Sequence, residues 1–308
     1  MDPRTQDAAV RKAAFDWLEE RTSREGDVLP REMLAQGFHW QGQRVPLVGP
    51  AGIFKPRVLP QVPLSITTVP NGPYEDSFGD DHRLIYRYRG TNPKHRDNVG
   101  LREAMLNRTP LVYLFGLIPG RYLPIWPVFI VDDHPDELSF TVMADAQDTI
   151  VDTLERGAGK EIDGEADALR RSYITASVQR RLHQRTFRER VLKAYYELSA
   201  LCRLRHRELL DAGHIIPDRD PRSEPEVTNG LALCKIHHAA FDGNLLGIRP
   251  DDYRIEIRDD VLSEHDGPML QHGLQGMHGT QLHLPHSSRN RPSREALAYR
   301  YERFRERQ

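Results

Sequence analysis

What this chain can become is limited first by the stretch Asp211–Asp242, DAGHIIPDRDPRSEPEVTNGLALCKIHHAAFD. His214 closes a short apolar run and is followed by Pro217 and a polar loop. Asn229 opens the run NGLALC, and His237 and His238 come where a helix would start. Histidine, asparagine and histidine in that order, on strand, loop and helix, make a compact set for cutting a phosphodiester. A histidine base activates water, a metal stabilises charge on the phosphate and the leaving oxygen, and an amide holds the histidine or its loop. Taken alone, His214 would read as a core histidine; its spacing to Asn229 and His238 argues against that.

The run LLDAGHIIPD…NGLALCKIHHAAFD…LLGI resembles the HNH (ββα-metal) nuclease motif. The resemblance implies an endonuclease that uses Mg²⁺, Mn²⁺ or a similar divalent ion. It puts His214 at the general base, Asn229 at the middle position, and His238 at the second histidine, facing the metal. The family's other ligand commonly lies immediately before the base, where this chain has Gly213. Asp211 shares the strand parity of Gly213, because side chains alternate with period two, and is the candidate carboxylate ligand.

Many relatives of this motif also carry cysteine pairs that close a structural zinc site. Here Cys234-x2-His237 is present and Cys202 is a third candidate. The position three before Cys202 is Ser199, a poor zinc ligand, and His206 has the wrong spacing. Three good ligands leave two readings open: a structural zinc, or two small core cysteines.

The bounds are those of a chain with two domains. Its 308 residues suffice for two cores. A net charge of −2 gives no global nucleic-acid signal, so any DNA-binding surface must come from local clustering. Two cysteines exclude a disulfide scaffold and suit a reducing cytoplasm, which the nuclease resemblance would make a prokaryotic one. No apolar run approaches a membrane span, and the N-terminus is charged and amphipathic without a signal-peptide core.

A helix is predicted from about Ala8 to Arg21, and a short one after Pro30. From Phe38 to about Met143, runs such as LSITTV, RLIYRYRG, LVYLFGLI, PVFIVDD and LSFTVMA predict strands, with a helix at NVGLREAML. So many strands suggest a curved sheet or small barrel. AGIFKPR, PLSITTVPNGPYEDSFGDDHRLIYRYRG and DNVGLREAML…TPLVYLFGL…YLPIWPVFIV resemble an SRA (YDG) domain, over roughly Val45 to Val131. That resemblance implies a PUA-like curved barrel that flips a modified cytosine into an aromatic pocket. It assigns Tyr74 and Tyr88 to stacking and Asp76, with Glu75 as its rival, to the cytosine amino edge. Ser65, Ile66 and Thr67 would line the floor under a 5-methyl group. The bland alternative for both tyrosines is strand packing. Trp17, Trp40 and Trp126 read as core or pocket-wall residues.

Between Asp145 and Tyr173 the chain turns acidic and glycine-containing, which reads as a linker or partly helical connector. The basic run after it has Leu182, Phe187, Val191, Leu192, Tyr195 and Leu198 at helical spacing, with Arg180, Arg181, Arg185, Arg188, Arg190 and Lys193 among them. Beside a nuclease motif, Arg181, Arg185 and Arg188 become candidates for the DNA backbone; a solvated surface helix is the alternative. The late histidines His265, His272, His278, His283 and His286 read as loop residues. A basic terminal helix closes the chain.

The expectation is therefore an α+β protein in three parts: an SRA-like modified-cytosine reader over 1–145, a connector over 146–172, and an HNH domain over 173–308. Its function would be that of a type IV, modification-dependent restriction endonuclease. The partner would be double-stranded DNA carrying 5-methyl- or 5-hydroxymethylcytosine, and cutting both strands calls for a homodimer or two binding events. Two alternatives stay open: a non-catalytic reader on a degenerate HNH scaffold, and an HNH nuclease whose N-terminal domain reads something else.

Overall fold

The computed structural model describes residues 2–69, 77–78, 84–145, 165–265 and 267–307, with backbone alone for 77–78 and 165–172. The chain forms two compact units, Met1–Leu182 and His183–Gln308. Among the described residues no helix is long and apolar enough to cross a membrane.

The first unit is built on a curved eight-stranded sheet. Its strand order is Ile53–Phe54, Ser65–Thr68, Leu111–Ile118, Arg121–His134, Ser139–Ala144, Leu84–Arg87 and Ser77–Phe78, with Leu29–Pro30 pairing to Arg121–His134. Ser65–Thr68 runs parallel to Leu111–Ile118, and the other pairs are antiparallel. The nearly unbroken apolar run of Leu111–Ile118 follows from burial on both faces. Val112 and Leu114 point into a core shared with the helix Pro3–Glu25, while Leu111, Tyr113 and Leu117 point into a second core. The fully buried Arg11 is satisfied by Asp7 and by the carbonyls of Pro63 and Pro110 at 2.9 and 3.0 Å. Trp17, Trp40 and Trp126 pack against the same core.

The second unit carries the ββα element. Strand Leu210–His214 pairs antiparallel with Gly230–Cys234, Gly213 facing Leu231 and His214 facing Gly230, and the helix Lys235–Asp242 follows at once. Gly230 has to be glycine: a Cβ there would lie 2.4 Å from Val191 and 2.9 Å from the Phe187 ring. The hairpin Leu246–Ile248/Ile255–Ile257 and the helix Arg294–Arg305 complete the core.

The boundary differs from the expected one. The helix Glu165–Ala194 begins inside the predicted connector, and Ile174, Val178 and Leu182 pack on the sheet of the first unit. Phe187, Val191 and Leu192 of the same helix belong to the core of the second. Residues 173–182, expected in the nuclease domain, thus lie in the first unit, where Leu182 is buried and Ile174 and Val178 are partly buried.

Candidate active site and metal centre

His214 ends its strand half-buried, its ring stacked on Phe187 at 4.0 Å and 10°. Burial, aided by the nearby positive His238, holds its pKa below the ordinary 6.5, against the opposing pull of Asp218, Asp242 and Asp211. It is therefore neutral at pH 7, the form a general base needs.

Asn229 is buried, and its bonds go to the loop after His214. Its Oδ1 accepts from Ile216 N at 2.8 Å, and Nδ2 faces Ile216 O (3.2 Å), Ser223 Oγ (3.2 Å) and Glu224 O (3.1 Å). Its own carbonyl accepts from Ile215 N at 2.9 Å. Of the two roles foreseen for the amide, these bonds serve the one of pinning the loop.

Facing His214 is a small acidic set around His238. Asp211 Oδ2 lies 3.7 Å from His238 Nδ1, and Asp242 Oδ2 lies 3.4 Å from His238 Nε2. The contact with Asp211 raises the His238 pKa against the effect of burial, and Asp242 adds to the rise. For Asp211, burial pushes upward but is outweighed by His238, the Ala212 N–H and Arg188, so its carboxyl lies below the usual range. Gly213 shares the face of Asp211, and a Cβ there would sit 3.0 Å from the His238 ring and 3.1 Å from Leu233. The missing side chain at 213 makes room for the imidazole, with Asp211 next to it. Asp242 was not anticipated, although its i+4 spacing from His238 on one helix was a readable signal. Asp211 and Asp242 lie at opposite ring nitrogens of His238, so one hard divalent cation could take the imidazole with one of the two carboxylates.

Cys202, Cys234 and His237 form the tightest ligand group among the described residues: their donor atoms all lie within 4.8 Å of one another. His237 Nδ1 is 3.2 Å from Cys234 Sγ, and its Nε2 donates to Gly273 O at 2.6 Å. That bond fixes the tautomer with Nδ1 toward the sulfurs. The Cys202 thiol is pushed down by its bond to Cys234, while Cys234 is pushed up by the same contact. One proton shared by two sulfurs leaves a thiolate, the form that binds metal. Ser199 is fully buried, with Oγ accepting the Cys234 N–H at 3.3 Å. His206 is exposed and outside the group.

Of the arginines expected on DNA, Arg181 is exposed and Arg185 half-buried. Arg188 is a correction. Its guanidinium is spent inside the unit on Leu210 O (2.8 Å), Arg207 O (3.2 Å), Glu189 (3.2 Å) and Asp211 (3.4 Å).

In the first unit a cavity of about 440 Å³ is lined by Gly49, Gly52, Thr67, Tyr86, Tyr88 and Tyr122, among others. Tyr88, expected to stack on the base, departs from that: it is 1% exposed with its ring packed on Phe140 at 4.6 Å, and its hydroxyl bonds to Asp133 and accepts from Arg102 at 3.0 Å. Ser65 departs from expectation: it is fully buried and its hydroxyl donates to Leu47 O at 2.5 Å, so it is spent on the backbone. Tyr74, Glu75 and Asp76 lie outside the described residues.

Residues 199–249 match the family model described as HNH endonuclease. No curated protein matches the chain. The solved structures include a chain described as "Modification dependent TagI restriction endonuclease". The likeness covers 79% of this chain and 82% of that one at 14% identity and a TM-score of 0.28, too low to bear on fold or activity. The second unit carries a ββα-metal HNH nuclease domain with a Cys₂His group able to hold a metal ion, and the chain is an endonuclease of that catalytic type.

Proposed function

We propose that the chain is a modification-dependent DNA endonuclease, cutting double-stranded DNA that carries 5-methyl- or 5-hydroxymethylcytosine. The observation that carries the catalytic half is the pairing of a neutral His214, stacked and immobilised on Phe187, with the Asp211–His238–Asp242 set across the ββα element. His214 takes a proton from water as the water attacks phosphorus in line, and Asn229 keeps the loop behind His214 in register. A Mg²⁺ or Mn²⁺ ion held by His238 with Asp211 or Asp242 would supply charge stabilisation at the phosphate and the departing 3′-oxygen. The Cys202–Cys234–His237 group, with two sulfur donors and His237 tied through Nε2 to Gly273 O, suits a structural zinc instead.

The reader half rests on the tyrosine-walled cavity, which has the size and partly aromatic lining that an extruded base needs. Thr67, Tyr86 and Tyr88 are its pocket residues among those described, with Tyr74 and Asp76 assigned by the SRA resemblance. Arg181 and Arg185 are the backbone contacts that remain after Arg188 is set aside.

The test is cleavage of one duplex prepared with cytosine, 5-methylcytosine or 5-hydroxymethylcytosine, in Mg²⁺ or Mn²⁺. Cutting confined to the modified duplexes is the expected outcome. Equal cutting of all three removes the reader, and binding of modified DNA without any cutting favours the non-catalytic scaffold.

A further inference from the structure

Arg188, its side chain 18% exposed, lies against the candidate metal ligand. Its Nη2 donates to Leu210 O at 2.8 Å and Arg207 O at 3.2 Å, which fixes the guanidinium against the start of the strand carrying Asp211 and His214. Its Nε lies 3.4 Å from Asp211 Oδ1, and that same oxygen accepts the Ala212 N–H at 2.9 Å. The two carboxylate oxygens are thus differently engaged. Oδ1 accepts the Ala212 N–H and pairs by charge with Arg188, while Oδ2 is turned to His238 Nδ1, 3.7 Å away.

Resting on the metal reading proposed above, we infer that Arg188 is a positioning residue that holds Asp211 so that it offers a single oxygen, Oδ2, to a divalent cation beside His238. A guanidinium suits the task because its planar fork reaches two carbonyls and a carboxylate from one fixed plane. An ammonium is a point charge and cannot orient a carboxylate in this way.

A second effect of Arg188 has the opposite sign. A cation beside Asp211 competes for the charge that a dication needs, so loss of the positive charge by itself would tighten metal binding. Loss of positioning would weaken it, because partners that orient a ligand are worth about 10–100-fold in metal affinity. The direction of the change therefore discriminates between the two.

The experiment is Mn²⁺ binding to the full chain without DNA, read from the spin-resonance signal of free Mn²⁺, on protein loaded with a single equivalent of Zn²⁺ and then freed of unbound and weakly held ion. Wild type, Asp211→Asn, Arg188→Met and Arg188→Lys are compared. Asp211→Asn is expected to weaken binding, and Arg188→Met to weaken it by about 10-fold. Arg188→Lys keeps the charge but loses the fork, and is expected to weaken binding as well. Arg188 also pairs with the buried Glu189 at 3.2 Å, so each variant's melting curve is recorded. If the Met variant fails to fold, Arg188→Lys carries the test. Unchanged or tighter binding in the Arg188 variants, with Asp211→Asn weakened, overturns the positioning role and leaves the metal reading intact. Unchanged binding in Asp211→Asn overturns both.

Discussion

His237 and His238 are neighbours on one eight-residue helix, yet their surroundings differ in kind. His237 is 3% exposed, its outer nitrogen tied to a backbone carbonyl and its inner one against sulfur. His238 stands between two carboxylates whose side chains are 45% and 61% exposed. Consecutive helix positions point about 100° apart, as 3.6 residues per turn requires, so one turn can face a thiolate group on one side and a carboxylate set on the other. Under the proposed function, the difference follows what each centre has to do. Closed sulfur and nitrogen donors bind zinc and stabilise a fold, whereas oxygen donors with open positions bind a hard cation and leave room for a phosphate.

The strongest way to break this comparison is to remove one metal and keep the other. Brief treatment with a moderate chelator should abolish DNA cleavage, and added Mg²⁺ or Mn²⁺ should restore it, while about one zinc per chain stays bound as measured by atomic emission. If zinc leaves in step with activity, the two centres are not separate in function. A finer change sharpens the comparison on the His238 side. Gly213→Ala puts a methyl 3.0 Å from the His238 ring. A displacement of a few tenths of an ångström should lower the single-turnover rate by about 10-fold with zinc content unchanged. A rate equal to wild type would show that the contact between Gly213 and His238 does not matter to catalysis.

Legibility in the sequence followed the range of each signal. The ββα element could be read because its histidines and asparagine sit within one short stretch, and Asp211 was reached by strand parity alone. Asp242 was missed although helical spacing relates it to His238. Arg188 was misjudged for a physical reason: a cluster of arginines on a helix does not say which of them faces a neighbouring strand, and this one lies between the buried Phe187 and Glu189. The unit boundary was misplaced for a similar reason. Ile174, Val178 and Leu182 continue the periodicity of Phe187 and Val191, and periodicity cannot tell which core each set enters. In the first unit, the β-favouring residues of Leu111–Ile118 announced a strand, but not which core each of its two faces enters. Ser65 could be placed on a strand from its neighbours, but its bond to Leu47 O spans a separation that local pattern does not reach.

The measurement that tests the account most directly is the pH dependence of single-turnover cleavage of a 5-methylcytosine duplex by wild type and His214→Ala, at saturating Mg²⁺ and with DNA binding monitored in parallel. The base must be neutral, and its pKa is depressed, so the wild-type rate should fall only as pH drops through a midpoint below 6.5. His214→Ala should bind the duplex as wild type does, lose that acid limb, and cleave on the order of 10³-fold more slowly. A variant that cleaves at the wild-type rate with the acid limb intact would contradict His214 as the base, and with it the proposed catalytic site.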